Sequence, residues 1–334
     1  IAPTAQSTAA DYFAQDVQEL GAVLVHLATG EHRIADTRMP EQVATILSQA
    51  LTTPTTFTAA TFATALETAI RELRHPTSIT LAVGHRTDVG RERALNEDSL
   101  LTLDFASVSR SISTPVGLFA VADGMGGHEA GDIASRLAIQ KIAQRTIGEI
   151  LPSAIAGESP PRVSQWLTAT VLAANQSIYE QRMAAGTDMG TTLVTALVLG
   201  DTTTVANVGD SRAYLLDQSR IAQVTTDHSL VERLVATGQI TPEQAANHPQ
   251  KNIIYRVLGD KPQIKADLFE LRLSPGEALL LCSDGLTGMV SDKQIWQIWH
   301  TSGSPQEACD RLIQAANQAG GDDNITVLIV ESVE

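Results

Sequence analysis

Two runs in this sequence are apolar at every position and lead into an Asp-Gly step. Leu118-Phe119-Ala120-Val121-Ala122 runs into Asp123-Gly124, and Ala278-Leu279-Leu280-Leu281-Cys282 runs through Ser283 into Asp284-Gly285. A strand that is apolar on both faces needs cover on both sides, since its side chains alternate between the faces. Helical cover is available. The spacing predicts helices over 129–147, with Ala130, Ile133, Ala134, Leu137 and Ala138 on one face, and over 162–183, with Val163, Trp166, Leu167, Thr170, Ala174 and Ile178 aligned. Two more fit 291–300 and 304–319. Strand patterns fall at 79–84, 99–103, 117–122, 191–199, 203–208, 211–216, 265–272, 278–282 and 325–331, bounded by Gly, Asp and Asn. Consecutive strands mostly lack a helical crossover, which favours antiparallel sheets. The expected fold is α+β: a central antiparallel β-sandwich flanked by helices.

Residues 1–76 read differently from 77–334. Phe13, Val17, Leu20, Leu24 and Leu27 recur at helical spacing before Gly30; Val43, Ile46, Leu47, Ala50 and Leu51 repeat the pattern up to Pro54; Phe62, Leu66, Ala69, Ile70 and Leu73 form a third helix. So small a helical segment buries little apolar surface. Beginning at Ile1 with no charged-then-apolar leader, the sequence reads as a piece of a longer protein.

Composition narrows the function classes. The net charge of −15 argues against nucleic acid or an anionic membrane surface as the main partner. No apolar stretch approaches the ~18 residues that a membrane span needs. The two cysteines, Cys282 and Cys309, form no C-x-x-C pair, which points to a reducing, cytoplasmic setting without a thiolate metal site.

The chemistry lies in where the acids fall. Asp123 and Asp284 follow buried runs, Asp323 precedes the last strand just after Gly320-Gly321, and Glu97-Asp98 precedes the strand at 99–103. Alone, each is a turn or a helix cap. Together, in order, each beside a buried strand, they place carboxylates at one sheet edge, where glycine lets backbone carbonyls approach a shared ligand. Carboxylates gathered this way repel, and all-oxygen ligands suit Mg²⁺ or Mn²⁺.

At this point the sequence resembles the metal-dependent protein phosphatases of type 2C, in their bacterial form, from about Thr87 to Val330. The likeness is carried by Thr87-Asp88-Val89-Gly90, Arg93-Ala94-Leu95-Asn96-Glu97-Asp98, Val121-Ala122-Asp123-Gly124-Met125-Gly126-Gly127-His128, Asp188-Met189-Gly190-Thr191-Thr192-Leu193, Val208-Gly209-Asp210-Ser211-Arg212, Leu281-Cys282-Ser283-Asp284-Gly285-Leu286 and Gly321-Asp322-Asp323-Asn324-Ile325-Thr326-Val327, in family order. The resemblance implies hydrolysis of phosphoserine and phosphothreonine by metal-activated water, without a covalent enzyme intermediate. It implies that Asp123 bridges two ions with the Gly124 carbonyl as a further ligand, that Asp284 and Asp323 complete the first ion, and that Glu97 and Asp98 hold the second. Asp188, with Asp284, matches a third, weaker site. Arg93, Asp123 and Asp284 are the expected catalytic residues, with Arg93 on the substrate phosphate. The implied partners are phosphorylated proteins and a cognate serine/threonine kinase.

Asp210 and Asp88 read as structural hydrogen-bonding residues. His128 stands three residues past Met125, where eukaryotic members place a histidine proposed as general acid; it reads better as a helix-start residue than as that acid. Residues 227–262 match the family's flap and read as mostly helical. His228 and His248 fall in it; each could touch substrate, although a lone surface histidine is more often an ordinary one, and His248 is taken as the substrate-binding candidate. Residues 1–76 distantly resemble the end of a protein-kinase C-terminal lobe, through Asp16 to Leu24, Leu27 to Gly30 and Pro54 to Leu66; an unrelated helical linker is the equal alternative. Two other functions stay open on the residues: a binding module with secondary phosphatase activity, which a missing metal ligand would favour, and a two-metal hydrolase of small phosphates, against which the ordered motifs argue.

Overall fold

The computed structural model describes residues 16–24, 41–52, 58–73, 80–109, 112–126, 130–156, 162–246 and 248–333. The chain divides into two compact units, Ile1–Thr77 and Ser78–Glu334. In the first, helix α1 (residues 16–24) joins α2 (Glu41–Thr52) and α3 (Ala59–Leu73). Val17, Leu47, Ala50 and Phe62 form its buried centre. The expected positions Phe13, Leu27, Gly30 and Pro54 to Phe57 lie outside the described residues.

The second unit is a two-sheet sandwich. Its strands are β1 (Thr80–Asp88), β2 (Asp98–Ser109), β3 (Ile112–Met125), β4 (Gly190–Thr191), β5 (Leu193–Leu199), β6 (Thr202–Val208), β7 (Arg212–Leu216), β8 (Ile221–Gln223), β9 (Asp267–Arg272), β10 (Ala278–Cys282) and β11 (Ile325–Val333). One sheet runs β1-β11-β10-β7-β8 and the other β2-β3-β5-β6-β9, with β4 beside β3. All these pairings are antiparallel. Its helices are α4 (Ala130–Arg145), running on through a π-helical turn (Thr146–Ile150) into α5 (Leu151–Ala156), then α6 (Val163–Ala185), α7 (Leu230–Ala236), α8 (Pro242–Ala246), α9 (Asp284–Thr287), α10 (Asp292–His300) and α11 (Pro305–Gln318).

Side-chain alternation explains the all-apolar runs. In β3, Phe119 and Val121 pack between the sheets with Leu279, Leu281, Leu328 and Val330. Leu118, Ala120 and Ala122 face the other way, onto Ala134, Ala138, Leu167 and Ile178 of α4 and α6. In β10, Leu280 and Cys282 pack on Ile295, Trp299, Leu312 and Ala316 of α10 and α11. The expected helix–sheet–sheet–helix layering is therefore the observed one.

Details differ from the sequence reading for physical reasons. β8 is too short to show a period. The 191–199 run breaks at Thr192, whose N–H turns to the Asp123 carbonyl at 2.8 Å. Residues 227–262 are not mostly helical: among the described residues they hold only the short α7 and α8 plus turns and isolated bridges, because Gly238 (φ +70) ends one helix and Pro242 opens the next. This segment is tied down by bridges between Ser229 and Ile254 and between Thr191 and Leu258.

Candidate active site

Strand ends from both sheets meet at one end of the sandwich, and the acids gather there. Asp98 pairs with Asp123 across β2 and β3. Asp98 also stitches the sheets together: its Oδ2 accepts from Ser283 Oγ at 2.8 Å and from Thr326 Oγ1 at 2.7 Å. Asp123 is set through its backbone. Its N–H donates to Thr192 Oγ1 at 3.0 Å, and its carbonyl accepts from Thr191 Oγ1 at 2.8 Å. Asp284 follows β10 by way of Ser283 and opens α9.

Glu97 faces the start of α4, where its Oε1 accepts from the Gly131 N–H at 3.2 Å. Its carbonyl accepts from the Ser135 hydroxyl at 2.7 Å and the Gly124 N–H at 3.2 Å. This approach requires glycine: a Cβ on Gly124 would lie 2.2 Å from the Gly131 carbonyl oxygen and 2.6 Å from that of Glu97. Asn324 holds the loop over 89–97. Its Nδ2 donates to the Val89 and Leu95 carbonyls, both at 2.9 Å, and its Oδ1 accepts from the Glu97 N–H at 2.8 Å. Asp88 braces the same loop, accepting from the Gly90 N–H at 3.0 Å and Asn317 Nδ2 at 3.1 Å, a structural role. The loop presents Arg93, whose Nη2 lies 2.8 Å from Asp323 Oδ2.

Burial dominates the electrostatics. It raises the Asp98 carboxyl to about 7, with the charges of Asp284 and Asp323 adding and the two hydroxyls opposing. Burial, then Asp98, Asp284, Asp210 and Asp323, holds Asp123 well above the ordinary carboxylate range. Asp284 is raised by burial and by Asp323, against a hydrogen bond from the Asp123 carboxyl. Asp210, in the β6–β7 turn, is raised to about 8 by burial, then by Asp284 and Asp227. Oδ1 of Asp98 and Oδ1 of Asp284 are buried with no hydrogen-bond partner. Buried polar atoms are normally satisfied, and a hard divalent cation is the partner that several carboxylate oxygens can share. Among the described residues no three acidic, imidazole or thiol side chains already close into a cage; the fit to a cation rests on the orphaned oxygens and the all-oxygen donor set.

The structure thus brings together Arg93, Glu97, Asp98, Asp123, Gly124, Asp284 and Asp323. Asp188 sits exposed at the rim, two residues before β4, whose Gly190 pairs with Met125. His248 lies in the turn after α8, where its Nδ1 accepts from the Gln250 N–H at 3.1 Å. His128 lies outside the described residues. His228 is not a surface residue. It is 2% exposed, its Nδ1 accepts from the Gly209 N–H at 2.9 Å, and its Nε2 lies 3.2 Å from Asp267 Oδ2; burial lowers its pKa. Thr192, Ser283, Asn324 and Thr326 carry no mark in the sequence as site residues beyond Ser283 and Asn324 standing next to Asp284 and Asp323.

Fold and site together define an α+β sandwich with buried carboxylates gathered at one end, a donor set suited to hard divalent cations. The protein phosphatase 2C family pattern matches residues 91–320. The serine/threonine phosphatase stp of Listeria monocytogenes is 40% identical over 248 residues, covering 74% of this chain and 94% of the relative. Protein phosphatase PhpP of Streptococcus pneumoniae is 37% identical over 249 residues, covering 74% and 96%. Among solved structures, the Mycobacterium tuberculosis serine/threonine phosphatase PstP/Ppp superposes with a TM-score of 0.65 at 35% identity, covering 77% of this chain and all of that one (100%). The catalytic domain of PstP in complex with two manganese ions gives 0.64 at 34% identity, with 77% and 100% covered. The chain belongs to the protein phosphatase 2C family, and it is a metal-dependent serine/threonine protein phosphatase.

Proposed function

We propose that the acidic end of the sandwich is the catalytic centre, where Asp123, the Gly124 carbonyl, Asp284 and Asp323 would hold one core cation and Asp123, Glu97 and Asp98 a second. Asp188 with Asp284 would hold a weaker third. The orphaned Oδ1 atoms of Asp98 and Asp284 carry this reading. The cations are Mg²⁺ or Mn²⁺; when bound, they supply an activated water and neutralise charge on the phosphoryl group. The chain's own residues do the positioning. Ser283 and Thr326 fix the Asp98 carboxylate by occupying its Oδ2. Arg93 receives the substrate phosphate, for which a planar guanidinium fork is suited. Its ion pair with Asp323 is half exposed, at 50% and 36%. Such pairs contribute only about 0–1 kcal/mol, so the guanidinium exchanges readily onto a phosphate dianion.

The substrates are phosphoserine and phosphothreonine proteins, as the names of the relatives support, including the products of a cognate serine/threonine kinase; nucleic acid and membrane are not partners. A cytoplasmic setting agrees with two buried free cysteines, and no helix among the described residues is long and apolar enough to cross a membrane. Residues 77–334 form the phosphatase domain, with 227–262 as a flap from which His248 meets substrate, and 1–76 form a separate helical segment. The test is hydrolysis of p-nitrophenyl phosphate and phosphoserine peptides. Mn²⁺ should support it, EDTA should abolish it, and Asp123→Asn or Asp284→Asn should nearly do so. Full activity in either variant would reject the site.

A further inference from the structure

The loop that carries Arg93 is laid along the segment that carries Asp323. Gly90, at φ +83, sits so close to it that a Cβ there would lie 2.2 Å from the Asp323 carbonyl oxygen. Arg91 donates its N–H to the Gly321 carbonyl at 2.7 Å. Its side-chain stem lies over Gly321, where an added Cβ would come within 2.9 Å of Arg91 Cγ. Two residues on, Arg93 reaches Asp323 Oδ2 at 2.8 Å. Arg91 and Arg93 therefore stand on one ledge, Gly321 to Asp323, at the rim of the acidic centre. They differ in what they hold. Arg93 has its carboxylate. Arg91 is exposed, and its guanidinium makes no hydrogen bond or ion pair among the described residues, although Asp322 and Asp323 follow the glycine it covers. In a chain with 38 acidic against 23 basic side chains, other arginines do take a carboxylate, as Arg86 takes Asp310 at 2.9 Å. A guanidinium with an anchored stem and a free fork can make a two-point contact with a carboxylate brought from outside.

We propose that Arg91 reads an acidic side chain beside the phosphoresidue, so that the enzyme favours phosphopeptides carrying Asp or Glu within two residues of the phosphate. This rests on the phosphatase reading above, in which Arg93 takes the phosphate. Two residues of extended chain span about 7 Å, so a peptide whose phosphate meets Arg93 brings a near neighbour within reach of Arg91. The test uses the full chain with Mn²⁺ and two phosphothreonine peptides, one with Glu at the two positions on each side and one with Gln there. The quantity read is the ratio of kcat/KM on the Glu peptide to that on the Gln peptide. Exposed ion pairs are weak, so the parent ratio should be about 3. Arg91→Ala should bring it to about 1, Arg91→Lys should keep part of it, and Arg91→Glu should invert the preference. A residue that only braces the loop would lower both peptides by the same factor and leave the ratio where it was. A parent ratio near 1, or a ratio that Arg91→Ala does not change, overturns the role of Arg91 while the phosphatase reading stands. A parent chain that hydrolyses neither these peptides nor p-nitrophenyl phosphate overturns the phosphatase reading and this inference with it.

Discussion

Asp98 should make the metal-free protein lose stability as pH rises. Its carboxyl ionises at 3.8 in ordinary surroundings and at about 7 in the fold, because it is buried. Between those values the folded state binds more protons than the unfolded chain. The contribution is therefore full below 3.8 and lost as pH climbs through about 7. At about 1.4 kcal/mol per pH unit, the part of this range between about pH 5 and 7 is worth about 3 kcal/mol. For a domain of this size that is roughly 8 °C in melting temperature. The assay is thermal melting in EDTA at about pH 5 and about pH 8, for the parent and for Asp98→Asn. Asparagine keeps the shape and has no charge to titrate. The variant should gain on the parent by about 3 kcal/mol between the two conditions, and saturating Mn²⁺ at the higher pH should raise the parent more than the variant. A parent–variant difference that is the same at both pH values would refute the reasoning.

Three further outcomes follow from single contacts. Gly84→Ala would place a Cβ 2.2 Å from the Pro305 carbonyl carbon; overpacking against backbone should cost about 3 kcal/mol in urea denaturation while leaving kcat unchanged. Asp227→Ala strands the Arg212 guanidinium, which Asp227 meets at 2.7 Å; it should lower unfolding free energy by about 3–5 kcal/mol in the same assay. Asn324→Ala frees the loop that carries Arg93 and should lower kcat/KM on p-nitrophenyl phosphate by about 100-fold through misplacement of the guanidinium; an unchanged value would show that the loop is held by other means.

Periodicity made the layers readable in advance. The helices over Ala130–Arg145 and Val163–Ala185, and the strands β3, β10 and β11, stand where apolar spacing puts them, since burial on one face or two leaves its mark in local sequence. The acidic residues beside glycine were equally visible, and with them the class of chemistry. Hydrogen-bond partners were not. Asp98 finds Ser283 and Thr326 at separations of 185 and 228 residues. His228 is buried because Gly209, Arg256 and Asp267 converge on it from separate segments. Asp210 reads as structural from its turn neighbours, and that its Oδ1 is buried without a hydrogen-bond partner shows only once the neighbours in space are known. Residue type and period are local properties, so the chain alone determined the sandwich, its cover and the carboxylate chemistry. Which oxygens are satisfied and which are left bare depends on contacts across the fold, and only the tertiary structure decided that.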